Sequence, residues 1–128
     1  MTITRNISGA SSKTKFVKGI LHSTDASAGV AVPIFVEHTT SAYTLASDEY
    51  IVVEAISLVT APGGDTTAFF STDGTIDTGE TIARGTFAVS SGVAFQDIYA
   101  PGAKGASVYA KAPAGVLDVV FYGQVRKA

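Results

Sequence analysis

The sequence predicts an all-β fold: an antiparallel β-sandwich of the jelly-roll type, with about eight strands and an extended N-terminal arm. Short apolar runs separated by Gly, Pro and Asp turn signals are typical of sandwiches and barrels, and no stretch clearly favours a helix. At 128 residues the chain has the length of one domain. Charged residues make up 16%, well below the usual quarter, and small and hydroxyl-bearing side chains replace them.

The start of the chain differs from the rest. Residues 1–13 are polar and rich in Ser and Gly, and we predict that they form the extended arm, while residues 14–128 form a single sandwich domain. The first 18 residues contain no acidic side chain. A basic terminus on an acidic body is suited to bind an acidic partner. The predicted partner-binding residues are therefore Arg5, Lys13, Lys15 and Lys18.

The first predicted strand spans residues 14–21, and a polar loop is predicted at 22–29. Phe16, Lys18 and Ile20 alternate along this strand, so they share one of its faces. If that face is the apolar one, Lys18 needs an outward route for its ammonium group.

Three further runs lead to the middle of the chain. Residues 30–37 are apolar but contain Pro33, which cannot donate to a ladder, so this strand belongs at an edge or a bulge. Residues 42–46 are a short strand or an extended loop. Residues 50–60 have apolar side chains at helical spacing, and Asp48 is placed to cap a helix. We predict a strand there, because the run is rich in β-branched residues and its neighbours are β.

The second half of the chain contains the clearest turn signals. Asp73 and Gly74 follow the predicted strand 66–72 and form a strong tight-turn pair, and a second turn is predicted at 77–80. The Cys and Trp residues of the immunoglobulin pattern are absent, although an immunoglobulin-like sandwich stays open. The last predicted strands span residues 82–89, 93–99, 106–111 and 116–125.

No group of side chains predicts a catalytic or cofactor-binding site. His22, Ser23 and Asp25 are too close in sequence for a dispersed Ser-His-Asp triad, and we interpret them as part of a polar loop. The chain contains no cysteine, which excludes disulfides and thiolate metal sites. We therefore expect that the protein is not an enzyme.

Metal, membrane and nucleic-acid partners are likewise not expected. The best candidates for calcium ligands are Asp73, Asp77 and Glu80. Their spacing does not match an EF-hand loop, and the preference of Asp and Gly for tight turns explains this acidic segment more simply. No run approaches the roughly 18 apolar residues of a membrane span, and no signal peptide is evident, so we expect synthesis in the cytoplasm. The basic terminus lacks the interleaved aromatic residues of a nucleic-acid surface.

Three runs carry a resemblance to a known family: residues 61–67 (APGGDTT), 99–109 (YAPGAKGASVY) and 115–123 (GVLDVVFYG). With these turn and strand patterns, residues 50–128 resemble the small jelly-roll head decoration, or cement, proteins of tailed bacteriophages. The resemblance implies a homo-oligomer, usually a trimer, that binds the major capsid protein at the virion surface and stiffens the lattice. It also implies no enzymatic activity and no cofactor.

A second function class stays open beside capsid decoration. Lectins share the jelly-roll architecture, and exposed tyrosines on such a sandwich stack on sugars. The alternative function is therefore a carbohydrate- or receptor-binding module of a phage fibre or tail. The tyrosines available for this role are Tyr43, Tyr50, Tyr99, Tyr109 and Tyr122.

Overall fold

The computed structural model describes residues 14–25, 27–60, 64–75, 81–87, 91–112 and 116–127. Within these ranges the chain is all-β, as predicted, and it has no helix long and apolar enough to cross a membrane. The strands in chain order are β1 (Thr14–Asp25), β2 (Val30–Ala31), β3 (Ile34–Val36), β4 (Ala42–Tyr43), β5 (Glu49–Thr60), β6 (Gly64–Ser71), β7 (Thr81–Phe87), β8 (Ser91–Phe95), β9 (Ala100–Pro101), β10 (Ser107–Lys111) and β11 (Val116–Lys127).

The strands form two antiparallel sheets. The large sheet has the order β4-β3-β1-β11-β5-β8, with β9 also paired to β5, and the small sheet has the order β2-β10-β6-β7. The pairing is nested, because β1 pairs with β11, β2 with β10, β5 with β8 and β6 with β7. A long antiparallel hairpin folded over on itself produces this nesting. The strand order is therefore compatible with the jelly-roll form of the prediction.

The apolar core lies between the two sheets and follows the alternation of each strand. On β11, Leu117, Val119 and Phe121 are fully buried, while the residues between them face away from the core. Gly19 of β1 lies directly opposite Phe121 on the same inward face. The missing side chain of Gly19 leaves the space that the phenyl ring occupies.

The predicted strand at 30–37 divides at its proline. β2 joins the edge of the small sheet, whereas β3 joins the large sheet, and Pro33 lies between them. At this crossing the proline interrupts neither ladder, and its carbonyl accepts a hydrogen bond from the Ile20 amide at 3.1 Å. The proline therefore marks a passage from one sheet to the other.

Two predicted strand ends were wrong by about four residues, at residues 21 and 99. The loop predicted from residue 22 begins later, because β1 continues to Asp25 and pairs with the start of β11 across a register shift. The strand predicted at 93–99 ends at Phe95, and Asp97 has a φ of 55°. This left-handed conformation breaks the ladder, and the segment between the predicted strands 93–99 and 106–111 contains β9.

Of two other predictions, one holds and one holds in part. Residues 50–60 form a strand, β5, and not a helix. The chain bends at Asp73 and Gly74, where Gly74 has the φ of 87° that glycine adopts readily, but these two residues do not form a tight hairpin, because β6 ends at Ser71 and its partner β7 begins at Thr81. The predicted arm, 1–13, and the second turn, 77–80, lie outside the described residues.

Candidate interaction surface

The outer face of the large sheet exposes aromatic side chains at its centre. Along β1, Val17 and Leu21 point into the core, so Phe16 and Lys18 point outward. On the neighbouring β11, Tyr122 also points outward. Phe16 and Tyr122 are 56% and 55% exposed. The face that Phe16 shares with Lys18 is thus the solvent face of the sheet, which gives the ammonium group its outward route.

The register of the large sheet aligns these side chains in a row. Lys18 lies opposite Phe35 of β3 on one side and opposite Tyr122 on the other, and Tyr122 lies opposite Ala55 of β5. Phe35, Lys18 and Tyr122 of this row line an open groove of about 700 Å³, together with Glu54 of β5 and neighbouring residues. Strand pairing therefore places residues from four strands on one surface.

A smaller groove of about 460 Å³ continues this surface beyond Tyr122. Its lining includes the small residues Ala55, Ser57 and Ala94, and it shares Glu54 and Tyr122 with the first groove. We refer to the combined surface as the outer face. It is defined by Phe16, Lys18, Phe35, Glu54, Ala55, Ser57, Ala94 and Tyr122.

The outer face carries one cation and one anion that have no counter-charge among the described residues. Glu54 accepts hydrogen bonds from Nε2 of Gln124 at 3.3 and 3.4 Å, but no cationic group of the described chain forms an ion pair with it. Within those residues Lys18 likewise forms no ion pair. Both groups are available to a binding partner.

The predicted partner-binding residues do not form one cluster in the described structure. Arg5 and Lys13 lie outside the described residues. The Nζ atom of Lys15 lies 3.9 Å from Oε2 of Glu49 and 5.7 Å from the centre of the Tyr43 ring, so this lysine contacts its own chain. Of the predicted partner-binding residues that the structure describes, Lys15 and Lys18, only Lys18 lies on the outer face.

Glu49 is a buried carboxylate that joins β4 to β5. It accepts hydrogen bonds from the Tyr43 hydroxyl at 2.6 Å and from the Ala46 amide at 2.9 Å. Burial acts to raise the pKa of Glu49, but these bonds and the charges of Lys15 and Lys127 hold the pKa below its ordinary value. Burial, with the bond to Glu49, raises the pKa of Tyr43 to about 12. The arrangement stabilises the fold at the start of β5.

The histidine considered for a triad has a different partner. Nδ1 of His22 lies 2.8 Å from Oδ1 of Asp118, across the pairing of β1 with β11. Asp25 instead accepts a hydrogen bond from the Ser27 amide at 3.0 Å, which helps to lower the pKa of Asp25. His22 thus lies on a strand and not in the predicted loop.

The calcium candidates are only partly described. Asp77 and Glu80 lie outside the described residues. Oδ1 of Asp73 accepts hydrogen bonds from the Thr75 amide at 2.9 Å and from the Ser71 hydroxyl at 3.1 Å, which is ordinary turn chemistry. No group of three or more His, Asp or Glu residues in the described ranges is placed to hold a metal ion.

Sequence reasoning missed Phe16, Phe35 and Glu54 as surface residues. A signal existed for Phe16, since Lys18 shares its face of the strand and Val17 and the residues that alternate with it can fill the core. No local pattern shows that Glu54 lies beside Tyr122, because that contact depends on strand pairing between distant parts of the chain.

No protein-family model matches this chain, and neither a curated protein nor a solved structure matches it.

Proposed function

We propose that this chain is a viral structural protein that decorates and stabilises the capsid of a phage. The observation that supports it best is the outer face, which exposes Phe16 and Tyr122 at the centre of a sheet. A contiguous apolar surface with polar residues around it is characteristic of protein–protein contact. The resemblance of residues 50–128 to decoration proteins supports the same function.

In this proposal the protein acts by adhesion. Synthesised in the host cytoplasm, it binds the major capsid protein at the capsid surface as a homo-oligomer, a trimer according to the resemblance. Binding across the seams between capsomers removes apolar surface on both sides from water, which favours the association. Capsomers joined in this way separate less readily under internal pressure. The proposed role requires no catalysis and no cofactor.

Immunogold electron microscopy tests the proposed location. An antibody against the recombinant protein is applied to purified phage particles from cultures that produce the chain. We expect gold on the capsid, and we expect particles from a strain without the gene to release DNA at a lower temperature. Gold confined to tails, or to material other than particles, contradicts the proposal.

Deleting residues 1–13 is expected to weaken attachment to undecorated capsids about tenfold, which corresponds to about 1.4 kcal/mol. The deletion removes Arg5 and Lys13, whose charges complement an acidic partner. Co-sedimentation with capsids measures the attachment, and far-UV circular dichroism checks that the melting temperature is unchanged. The control is the full chain with both residues replaced by alanine. Full attachment of the shortened chain would show that the arm has no role.

A second candidate function is glycan binding by a fibre or tail module. The rings of Phe16 and Tyr122 are exposed beside the hydrogen-bonded pair of Glu54 and Gln124, and such a combination suits stacking on a sugar and bonding to its hydroxyls. A glycan-array signal that Tyr122→Ala abolishes favours this function. An array without signal, together with no effect of calcium on melting, argues against it.

A further inference from the structure

We propose that the outer face binds one extended segment of the major capsid protein, which crosses the strands of the large sheet with an acidic side chain over Lys18 and a basic side chain near Glu54 and Asp97. The inference rests on the proposed function. It deepens that function by naming the form and the charges of the capsid element that this chain binds.

The two grooves of the outer face form one trough across the strands. They share Glu54 and Tyr122, and together they extend from Thr40, which lies between β3 and β4, to Asp97, just beyond β8. β1 contributes only residues 16–18 of its 12 residues to the lining. The trough therefore runs across the sheet and not along a strand.

The dimensions of the trough match a single extended chain. From β3 to β8 the sheet has four intervals between neighbouring strands, which give a length of roughly 20 Å at about 4.8 Å each. Three residues of β1 give a width of about 10 Å. An extended segment rises about 3.3 Å per residue, so about six residues fill the length.

Charge is unevenly placed along the trough. Lys18 lies opposite Phe35 of β3, towards one end. Glu54 and Asp97 line the smaller groove, and the Ile98 amide donates to the Glu54 carbonyl at 3.0 Å, so the two acids are neighbours at the other end. None of these three charged groups forms an ion pair with a described residue. A partner of opposite polarity therefore satisfies all three.

Other charged side chains near the trough contact residues of their own chain: Glu37 with His38, His22 with Asp118, and Arg126 with Gln124. Glu37 and His38 line the larger groove, 3.4 Å from each other. Asp118 and Arg126 lie on β11 on either side of Tyr122 and line neither groove. A segment confined to the trough avoids both, whereas a partner that covers the whole face would have to match them as well.

The spacing of the charges specifies the segment. β1, which carries Lys18, and β8, which precedes Asp97, are three intervals apart, or about 14 Å. Residues i and i+4 of an extended segment are about 13 Å apart and face the same side. We therefore expect an acidic and a basic residue four positions apart, with an apolar residue midway to cover the exposed ring of Tyr122. The arm fits less well, because residues 1–13 contain no acidic side chain to meet Lys18.

Labelling of single cysteines tests the location, because the chain has no cysteine of its own. Thr40→Cys and Ala94→Cys place a thiol in each groove. Val116→Cys places an exposed thiol on the same side of the sheet, about 20 Å from Tyr122 along β11, and Lys111→Cys places one on the small sheet. Undecorated capsids should slow maleimide labelling at least about tenfold in the trough, because a bound segment excludes solvent, and should leave the other two rates unchanged.

The outcomes distinguish between occupants. Slow labelling of Val116→Cys as well indicates a broad contact, and unchanged rates for Thr40→Cys and Ala94→Cys in bound protein place the contact elsewhere. Either result overturns the inference but not the proposed function. Faster labelling of the free chain in the trough after deletion of residues 1–13 identifies the arm as the occupant and also overturns the inference. A chain that does not attach to capsids overturns both.

Charge variants test the chemistry of the segment. Lys18→Glu and Glu54→Lys should each weaken attachment to capsids at least about tenfold, because each brings like charges together. Lys111→Glu makes the same charge change as Lys18→Glu on the small sheet and should leave attachment unchanged. If Glu54→Lys does not fold, Asp97→Asn, which keeps the size and tolerates the left-handed conformation, should weaken attachment about threefold. Attachment unaffected by all of these variants overturns the inference.

Discussion

Replacing Gly19 by alanine is expected to lower the free energy of unfolding by about 3 kcal/mol, the upper part of the usual range for overpacking. Gly19 faces the core opposite Phe121, and an added Cβ would overlap the edge of that ring. Phe121 is fully buried, so its ring has no free space into which to turn. The strand or the ring must therefore shift.

Urea titration followed by far-UV circular dichroism measures this effect, since the protein has no tryptophan to report by fluorescence. The double variant Gly19→Ala with Phe121→Leu separates overlap from a general effect of the substitution. Leucine removes the ring atoms that the new Cβ would meet, so Gly19→Ala should destabilise the Phe121→Leu background less than it destabilises the wild type. An equal loss in both backgrounds would refute the steric explanation.

Glu49→Gln is expected to lower the free energy of unfolding at pH 7 by about 1.5–3 kcal/mol, the range for hydrogen bonds to a charged group. The substitution keeps the size of the side chain but removes the charge that accepts from the Tyr43 hydroxyl and the Ala46 amide. The ion pair with Lys15 contributes less, because Nζ of Lys15 is 3.9 Å from Oε2 of Glu49 and the lysine side chain is partly exposed to solvent. Urea titration at pH 7 measures the difference.

The pH dependence of that difference identifies its source. The pKa of Glu49 lies below its ordinary value in the folded protein, although burial alone would raise it. The stabilisation is therefore present above the ordinary carboxyl pKa, and it is lost as the pH falls through the folded-state pKa. The gap between the wild type and Glu49→Gln should narrow below about pH 4. A gap that stays constant from pH 7 to pH 3 would contradict the assignment.

Tyr43→Phe tests the same arrangement at the alkaline end. Burial and the bond to Glu49 raise the pKa of Tyr43 to about 12. The resulting stabilisation is fully present below the ordinary pKa of about 10, and it is lost as the pH rises towards 12. Between pH 10 and 12 the free energy of unfolding of the Tyr43→Phe variant should therefore fall less than that of the wild type. Equal alkaline losses in both proteins would place the titrating group elsewhere.

Comparing individual segments with the structure shows which features local sequence patterns predicted correctly. β-branched residues and β neighbours predicted β5 correctly despite apolar residues at helical spacing, and Asp73 with Gly74 predicted the bend that follows β6. Pro33 predicted an irregularity but not its form, because a proline removes a donor without showing which sheet receives the chain on either side. The end of β1 was missed because pairing with β11 extends a polar segment that has no strand signal of its own.

Local patterns were enough to predict the fold class, since alternation and turn residues act within a few positions of the chain and favour strand over helix locally. Which residues lie together on the outer face depends on how the strands pair. Glu54 meets Gln124, and Lys18 lies beside Tyr122, through strands that are far apart in the chain. These neighbours follow from the register between strands. Register depends on the packing of the whole core, which no local pattern contains.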